Sequence, residues 1–242
     1  LEKPTGAMPK GGTGFGVLIF LTMGVFTLTY ITLNKSRKIN DEITQIYNPS
    51  VTVLEGLNLQ IVRSKMLISN WVFIQRSDDH EEKMLLRNLV DKEYPEKKKQ
   101  ILQLAIKWKK EETDLALEIF NDINTLFINY QDIMEQLNSF QAYEESMVMF
   151  MVRPMVEGGE IDMQCNRIFQ KLGKLITIQQ QNTYKVSYEM IKSFDDLQFV
   201  VRNLGMALLA GSIVIAMLTV RTIVKPVQEV KAMLLRLGKG II

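Results

Sequence analysis

The sequence predicts an all-α protein: an antiparallel, up-down-up-down four-helix bundle that continues into two transmembrane helices. Two long stretches carry no charged residue, and between them apolar residues recur at alternating steps of three and four. That spacing gives each helix one apolar seam, whereas the alternation of apolar and polar residues that is typical of strands is absent. Only 6 Pro and 14 Gly occur in 242 residues, which also favours long helices.

The composition excludes several classes of function. The chain has 29 Lys and Arg against 27 Asp and Glu, so it lacks the basic excess of a nucleic-acid-binding protein. With 1 Cys and 1 His it can form neither a disulfide framework nor a Cys/His metal site. It contains no phosphate-binding glycine loop, catalytic triad or paired-acid motif. We therefore expect no enzymatic activity, metal or cofactor within these residues.

Residues 15–34 and 203–220 are predicted to be the membrane spans. Both stretches are uncharged and approach the ~20 apolar residues that a spanning helix needs. The alternative for the first stretch is a cleaved signal peptide. No small-residue cleavage site follows its apolar run, so an uncleaved anchor is favoured.

The charges after the second span indicate the topology. Cations cluster there, which predicts a cytoplasmic location under the positive-inside rule. The cluster consists of Arg221, Lys225, Lys231, Arg236 and Lys239. The cations around the first span lie on both sides of it and do not indicate a direction. Both termini are then cytoplasmic, and the domain formed by residues 35–202 lies outside. Residues 1–14 form a cytoplasmic tail, in which residues 1–7, ahead of Met8, are interpreted as a tag remnant.

Three apolar tracks mark helices within the domain of residues 35–202. The first runs from Ile39 to Ile74, a later one from Ile119 to Phe140, and the last from Ile161 to Leu204. The first and last helices are expected to run ~40 residues each and to continue into the membrane spans. Short connections between neighbouring helices then give the up-down-up-down bundle.

The turns between these helices are predicted from Pro, Gly and polar residues. The first track passes through Asn48-Pro49, so we expect a kink there rather than a break. Residues 78–80 with Glu82 read as a capping box that opens the second helix. The second-to-third turn is placed in the polar run of residues 109–114. Pro154 with residues 158–159 is expected to mark the third-to-fourth turn.

The segment after the second span, residues 221–242, has the most specific pattern. Its apolar residues keep an unbroken 3-4 spacing, which predicts a seam for a parallel helical partner, and Pro226 fits the start of a new helix. The segment resembles the first helix of a HAMP domain, the linker of bacterial chemoreceptors and sensor histidine kinases. The residues that match the HAMP pattern are Arg221, Pro226, Val227, Val230, Leu234, Leu237 and Gly240. Ile241 departs from it, because the family usually has an acidic residue at that position.

The resemblance implies a bacterial transmembrane receptor in the inner membrane, with a periplasmic sensor domain and a parallel homodimeric assembly. Such receptors relay a stimulus through the second span into HAMP and on to a cytoplasmic output domain, which is missing from this chain. The implied partners are membrane lipid, a second copy of the chain, and an unknown small-molecule ligand or periplasmic protein. The alternative is a structural, membrane-anchored helical tether or assembly scaffold that senses no ligand.

Polar residues interrupt the seams of the first and last helices. Gln60 and Ser64 occupy seam positions on the first helix, and Gln179 and Asn182 do so on the last. Their distances from the two spans suggest that they share one layer, with Arg63 beside them to meet an anionic ligand. One hypothesis is a ligand pocket. The others are a buried polar layer that specifies register, and simple exposure to solvent.

Three further features are interpreted as structural. Residues 147–152 with Met155 are rich in Met and are predicted to cap the core beside Trp71, with an adaptable partner site as the alternative. Cys165 lies on an apolar track and is predicted to be a buried thiol. His80 is interpreted as a solvated loop residue rather than a pH sensor.

Overall fold

The computed structural model describes residues 10–74 and 81–238, and every regular element within these two stretches is helical. The all-α prediction is therefore confirmed. The chain forms two compact units: one is Ile39–Ser187, and the other comprises the remaining residues on both sides of it.

Nine α-helices occur in the described residues. They are α1 (Lys10–Glu42), α2 (Asn48–Phe73), α3 (Glu81–Asn88), α4 (Tyr94–Ala105), α5 (Lys110–Gln136), α6 (Phe140–Glu144), α7 (Ser146–Val156), α8 (Glu160–Thr219) and α9 (Lys225–Gly238). The capping box predicted at residues 78–80, and His80 with it, lies outside the described residues.

Three π-helical turns join successive α-helices in the described part of the chain, and each directly precedes an X-Pro pair. The turns are Ile43–Tyr47, Leu89–Glu93 and Val220–Val224, before Pro49, Pro95 and Pro226. Proline has no N–H to donate, and its ring collides with the carbonyl group four residues earlier. A wider turn moves that carbonyl group away while the chain stays helical. The prediction that Pro49 does not break the helix is confirmed. At Pro226, where a new helix was expected to start, the chain is likewise helical on both sides of the proline.

The core of the Ile39–Ser187 unit follows the predicted apolar tracks. α2 packs against α3, α4, α5 and α7, and side-chain contacts also join α5 to α8. The track on α5 is buried from Ile119 to Leu137, whereas Phe140, its last predicted member, is exposed. Phe140 leaves the track because α5 ends at Gln136 and a new helix begins after the Ser139 cap.

On α8 the buried track is Ile161, Cys165, Ile168, Leu172, Leu175 and Gln179. The predicted track continued to Leu204, but its positions beyond Gln179 are not buried, because α8 extends past the packed unit, which ends at Ser187. Ile74, the last position of the first track, is 63% exposed.

The second-to-third turn lies earlier than predicted. α4 ends at Ala105 and α5 begins at Lys110, so residues 106–109 form the turn and most of the predicted polar run lies in the first turns of α5. Acidic side chains are stabilised at a helix N-terminus, where free N–H groups point toward them. Glu111 and Glu112 therefore favour starting the helix here rather than interrupting it.

The third-to-fourth connection also differs from the prediction. Pro154 lies inside α7 rather than in a turn, and the chain turns at residues 157–159. Gly158 has φ of 71°, a left-handed conformation that favours glycine. Gly159 packs so closely that a Cβ there would overlap the carbonyl oxygen of Pro154.

Gly159→Ala is expected to destabilise the Ile39–Ser187 unit by ~1–3 kcal/mol, because the added methyl group forces backbone atoms apart. Gly173→Ala is the matched control, since no atom lies within 4 Å of the position that its Cβ would take in α8. Alanine in a helix interior should stabilise by ~0.5–1 kcal/mol. Thermal melts of the two variants in detergent, followed by circular dichroism, test this. Equal melting temperatures would contradict the steric assignment at Gly159.

The unit outside Ile39–Ser187 presents apolar side chains on its surface. Phe20 is 82% exposed and Leu209 is 69% exposed. Within Ser146–Arg236, an 18-residue helical window has a mean hydropathy of 2.1 and none of it is buried, so by length and composition it could cross a membrane. Residues 15–34 are helical within α1 and remain a predicted span.

Candidate functional site

A buried carboxylate organises the polar residues near the start of α5. Glu112 is 4% exposed, and its two oxygens accept hydrogen bonds from two side chains of α8. Asn182 Nδ2 donates to Oε1 at 2.9 Å, and Gln179 Nε2 donates to Oε2 at 3.0 Å. The backbone N–H of Lys109 also donates to Oε2, at 3.4 Å. We call these four residues the Glu112 cluster.

The Glu112 cluster stabilises its negative charge with neutral donors. No Lys, Arg or His of the described chain forms an ion pair with Glu112. Its place in the first turn of α5 adds the favourable field of the helix N-terminus. Hydrogen bonds to an ionised group are stronger than those between neutral groups, so the two amides are held firmly against α5.

Two aromatic residues neighbour the Glu112 cluster: Trp108 directly precedes Lys109 in the chain, and Tyr47 is close enough for the charge of Glu112 to affect its pKa. Trp108 Nε1 donates to Ser50 Oγ at 2.9 Å, which ties the α4–α5 turn to the first residues of α2. Burial raises the pKa of Tyr47, and the charges of Glu42 and Glu112 raise it further. The Tyr47 hydroxyl therefore stays protonated at neutral pH.

A second polar cluster is centred on Tyr130. The Tyr130 hydroxyl lies 3.3 Å from Ser64 Oγ and 3.9 Å from Cys165 Sγ, linking α2, α5 and α8. Burial is the main cause of the raised pKa of both Tyr130 and Cys165. The prediction of a buried Cys165 thiol is confirmed.

The five predicted ligand residues do not share one layer. Ser64 contacts Tyr130, whereas Gln179 and Asn182 contact Glu112. Tyr130 and Glu112 are 18 residues apart on α5, or ~27 Å along the helix. The prediction was wrong because it measured distances from assumed span ends, which do not specify how far each helix slides against its neighbours.

Gln60 and Arg63 lie with Ser64 on α2, away from the Glu112 cluster. Arg63 Nη1 is 3.4 Å from Glu93 Oε2, and the second oxygen of Glu93 accepts a hydrogen bond from Asn88 at 2.9 Å. The guanidinium group thus pairs with a carboxylate of the same chain. The side-chain oxygen of Gln60 is buried without a hydrogen-bond partner among the described residues.

Sequence reasoning missed Glu112, which it placed in a turn. The usable signal was an acid three residues after Lys109 at the opening of an apolar track, which is the acidic half of a capping box and accepts from the backbone N–H of the N-cap residue. Next to this cluster, α2 and α8 border an open groove of about 490 Å³. Its lining is Asn48, Val51, Thr52, Gln180, Thr183 and Tyr184.

The Met-rich segment lies beside Trp71, as predicted. It forms α7, which packs against α2 and buries Val152 and Val156. Met149 and Met155 are partly buried against the core, so the capping role holds for one face of α7. The other face is exposed, with Phe150 at 78%. The Tyr143 hydroxyl donates to the carbonyl oxygen of Trp71 at 2.8 Å and secures this end of α2.

The predicted relay residues lie on the last described elements. Arg221 is in the π-helical turn, and Pro226 is the second residue of α9. Val227, Val230 and Leu234 are 60%, 56% and 64% exposed, so this apolar stripe has no partner within the described chain. Leu237 belongs to α9, although its side chain is not described, and Gly240 lies outside the described residues.

Among the described residues, no group of three or more His, Cys, Asp or Glu is arranged to hold a metal ion. The chain matches no protein-family model, no curated protein and no solved structure. Its function is therefore argued from its own residues and contacts.

Proposed function

We propose that the chain is the sensor and transmembrane part of a bacterial signalling receptor, with residues 35–202 as a periplasmic up-down-up-down four-helix bundle. Residues 15–34 and 203–220 are its two spans in the inner membrane, and residues 221–242 begin a HAMP linker. The observation that carries the proposal is the junction at Pro226, where a long apolar helix gives way to an exposed amphipathic stripe.

Hydroxyl groups within the two proposed spans are compatible with a location in lipid. Thr27 and Thr29 donate to carbonyl oxygens four residues earlier, at 2.9 and 2.8 Å. Ser212 and Thr219 do the same at 2.7 and 2.8 Å. Polar groups in hydrocarbon must be satisfied internally, and these bonds do so without a second helix.

The exposed stripe of α9 supports a homodimer with parallel helices. Val227, Val230 and Leu234 repeat at steps of three and four, the spacing of a coiled-coil seam. Two copies anchored in one membrane have parallel spans, so the α9 stripes of the two copies run in the same direction and can pack against each other.

The signal enters through α8, which carries Gln179 and Asn182 in its first half and ends at Thr219. A ligand or periplasmic protein shifts the receptor only if it binds one arrangement of the helices more tightly than the other. In this proposal the Glu112 cluster distinguishes two arrangements: in the structure the amides of α8 hold the carboxylate on α5, and in the other arrangement they release it. The candidate contact points for the stimulus are the groove beside the Glu112 cluster and, further along α2, the residues Gln60, Arg63 and Ser64.

A fusion experiment separates the receptor from the scaffold alternative. The chain is joined after Ile242 to the remainder of a HAMP domain and a histidine-kinase output, and kinase activity is measured in membranes. Glu112→Gln removes the charge that α8 holds, and we expect it to change basal output severalfold. Glu111→Gln, one residue away on the exposed face, is the control and should leave output unchanged. Identical activity in all three proteins would favour a structural tether.

A further inference from the structure

The Glu112 cluster contains more hydrogen-bond acceptors than donors. A carboxylate has about four acceptor positions, whereas three donors reach Glu112, two of them on Oε2 and one on Oε1. Gln179 is fully buried, and its side-chain oxygen Oε1 has no hydrogen-bond partner among the described residues. Glu112 Oε1 and Gln179 Oε1 can therefore each accept from a further donor.

The negative charge of Glu112 is also uncompensated. The residue is 4% exposed, and the groups that donate to it are two side-chain amides and a backbone N–H, all of them neutral. Neutral donors stabilise a buried carboxylate but leave its charge in place, and buried charges are usually paired. A group that completes the cluster should donate hydrogen bonds, accept none and carry a positive charge. An ammonium group, with three donors and no acceptor, has these properties.

The open groove between α2 and α8 lies next to the Glu112 cluster. On the α8 side, Thr183 lines the groove, and its hydroxyl donates to the backbone oxygen of Gln179 at 3.1 Å. On the α2 side, Asn48 lines the groove and directly follows Tyr47, whose pKa is raised in part by the charge of Glu112. The groove and the cluster are thus neighbours on both sides.

The lining of the groove suits a small polar cation. Its lining residues are uncharged, so none of them repels a cation or pairs with Glu112 in its place. Its volume of about 490 Å³ is typical of small-molecule sites. Tyr184 is 75% exposed, and the face of an aromatic ring attracts cations. The hydroxyl of Thr52 donates to the backbone oxygen of Asn48 at 3.1 Å, so its own oxygen can still accept from a ligand.

We propose that the groove binds a small primary ammonium compound with a polar substituent, and that its ammonium group donates to Glu112 Oε1 and Gln179 Oε1. The polar substituent lies in the groove, against the amide and hydroxyl groups of its lining. Binding rests on the contacts of the cluster and the groove, whereas the use of this ligand as a stimulus rests on the proposed function.

The bound ammonium group would connect two helices. Glu112 belongs to α5 and Gln179 to α8, so one ligand donates to both. It therefore stabilises the arrangement in which α8 holds the carboxylate, and it shifts the receptor only by its preference for that arrangement. Hydrogen bonds from a cation to a carboxylate are stronger than neutral ones, so charge should dominate the selectivity of the site.

Calorimetric titration of the purified full chain in a non-ionic detergent tests the proposal. The probes are ethanolamine, a cation at pH 7, its uncharged analogue ethylene glycol, and the anion glycolate, all at one ionic strength. We expect ethanolamine to bind about tenfold or more tightly than either analogue, because only its ammonium group pairs with Glu112. Equal affinity for ethanolamine and ethylene glycol, or for ethanolamine and potassium ion, would overturn the proposal.

Two pairs of variants locate the site. Glu112→Gln should abolish the preference for ethanolamine, whereas Glu111→Gln, on the exposed face, should retain it. Thr52→Trp fills the groove and should weaken ethanolamine binding, whereas Val62→Trp, further along α2 at a position that is 47% exposed, should not. Circular dichroism establishes that each variant folds. A folded Glu112→Gln variant that binds ethanolamine as tightly as the unchanged chain would overturn the proposal.

The kinase fusion separates this proposal from the proposed function. If ethanolamine binds as expected but leaves kinase output unchanged, the ammonium site stands and the receptor role fails. If Glu112→Gln alters kinase output while ethanolamine does not bind, the ammonium site is overturned and the receptor role stands.

Discussion

Trp71→Ala is expected to destabilise the Ile39–Ser187 unit by ~3–5 kcal/mol, the usual cost of removing a buried Trp side chain. Trp71 is fully buried, and its Nε1 donates to the carbonyl oxygen of Leu137 at 3.3 Å. Its ring also lies 4.4 Å from Lys83 Nζ, a cation–π contact in a buried environment. The substitution therefore removes core volume, a hydrogen bond and an aromatic face together.

The measurement for Trp71→Ala is a thermal melt of the full chain in detergent, followed by circular dichroism. For a unit of this size, the expected loss corresponds to a fall in melting temperature of roughly 6–20 °C. Phe150→Ala is the control, because Phe150 is 78% exposed and its loss creates no cavity. A fall of similar size in both variants would show that aromatic content rather than burial decides the effect.

Glu112→Ala is expected to cost ~2–4 kcal/mol, because the buried amide of Gln179 and the partly buried amide of Asn182 lose their acceptor. The cap of α5 is lost at the same time, since Glu112 also accepts from the backbone N–H of Lys109. Glu112→Gln keeps the shape and one acceptor oxygen, so an intermediate loss is expected.

Glu111→Ala is the matched control for Glu112→Ala. Both residues lie in the first turn of α5, but Glu111 is exposed and should change stability by less than ~0.5 kcal/mol. A double-mutant cycle between Glu112→Ala and Gln179→Ala isolates the contact itself. A coupling energy near zero would mean that the two side chains do not stabilise one another.

The heptad spacing predicted which side chains are buried, because burial on a helix follows its periodicity. The tracks from Ile119 to Leu137 and from Ile161 to Gln179 lie in the core as expected. Helix ends were predicted less well. Glu112 was assigned to a turn and Pro154 to another, although each lies inside a helix. A polar run or a proline is compatible with either location, and only the packing of neighbouring helices decides between them.

The amino-acid sequence by itself determined the helical class of this protein and the apolar face of most of its helices. These properties follow from the order of residues along one helix. The tertiary structure alone decided that Gln179 and Asn182 meet Glu112 and that Ser64 meets Tyr130. It also left the large apolar side chains of Leu59, Val62 and Met66 on α2 exposed. The register between helices depends on how their side chains interlock, and a seam with the same spacing throughout fits its neighbours at more than one register.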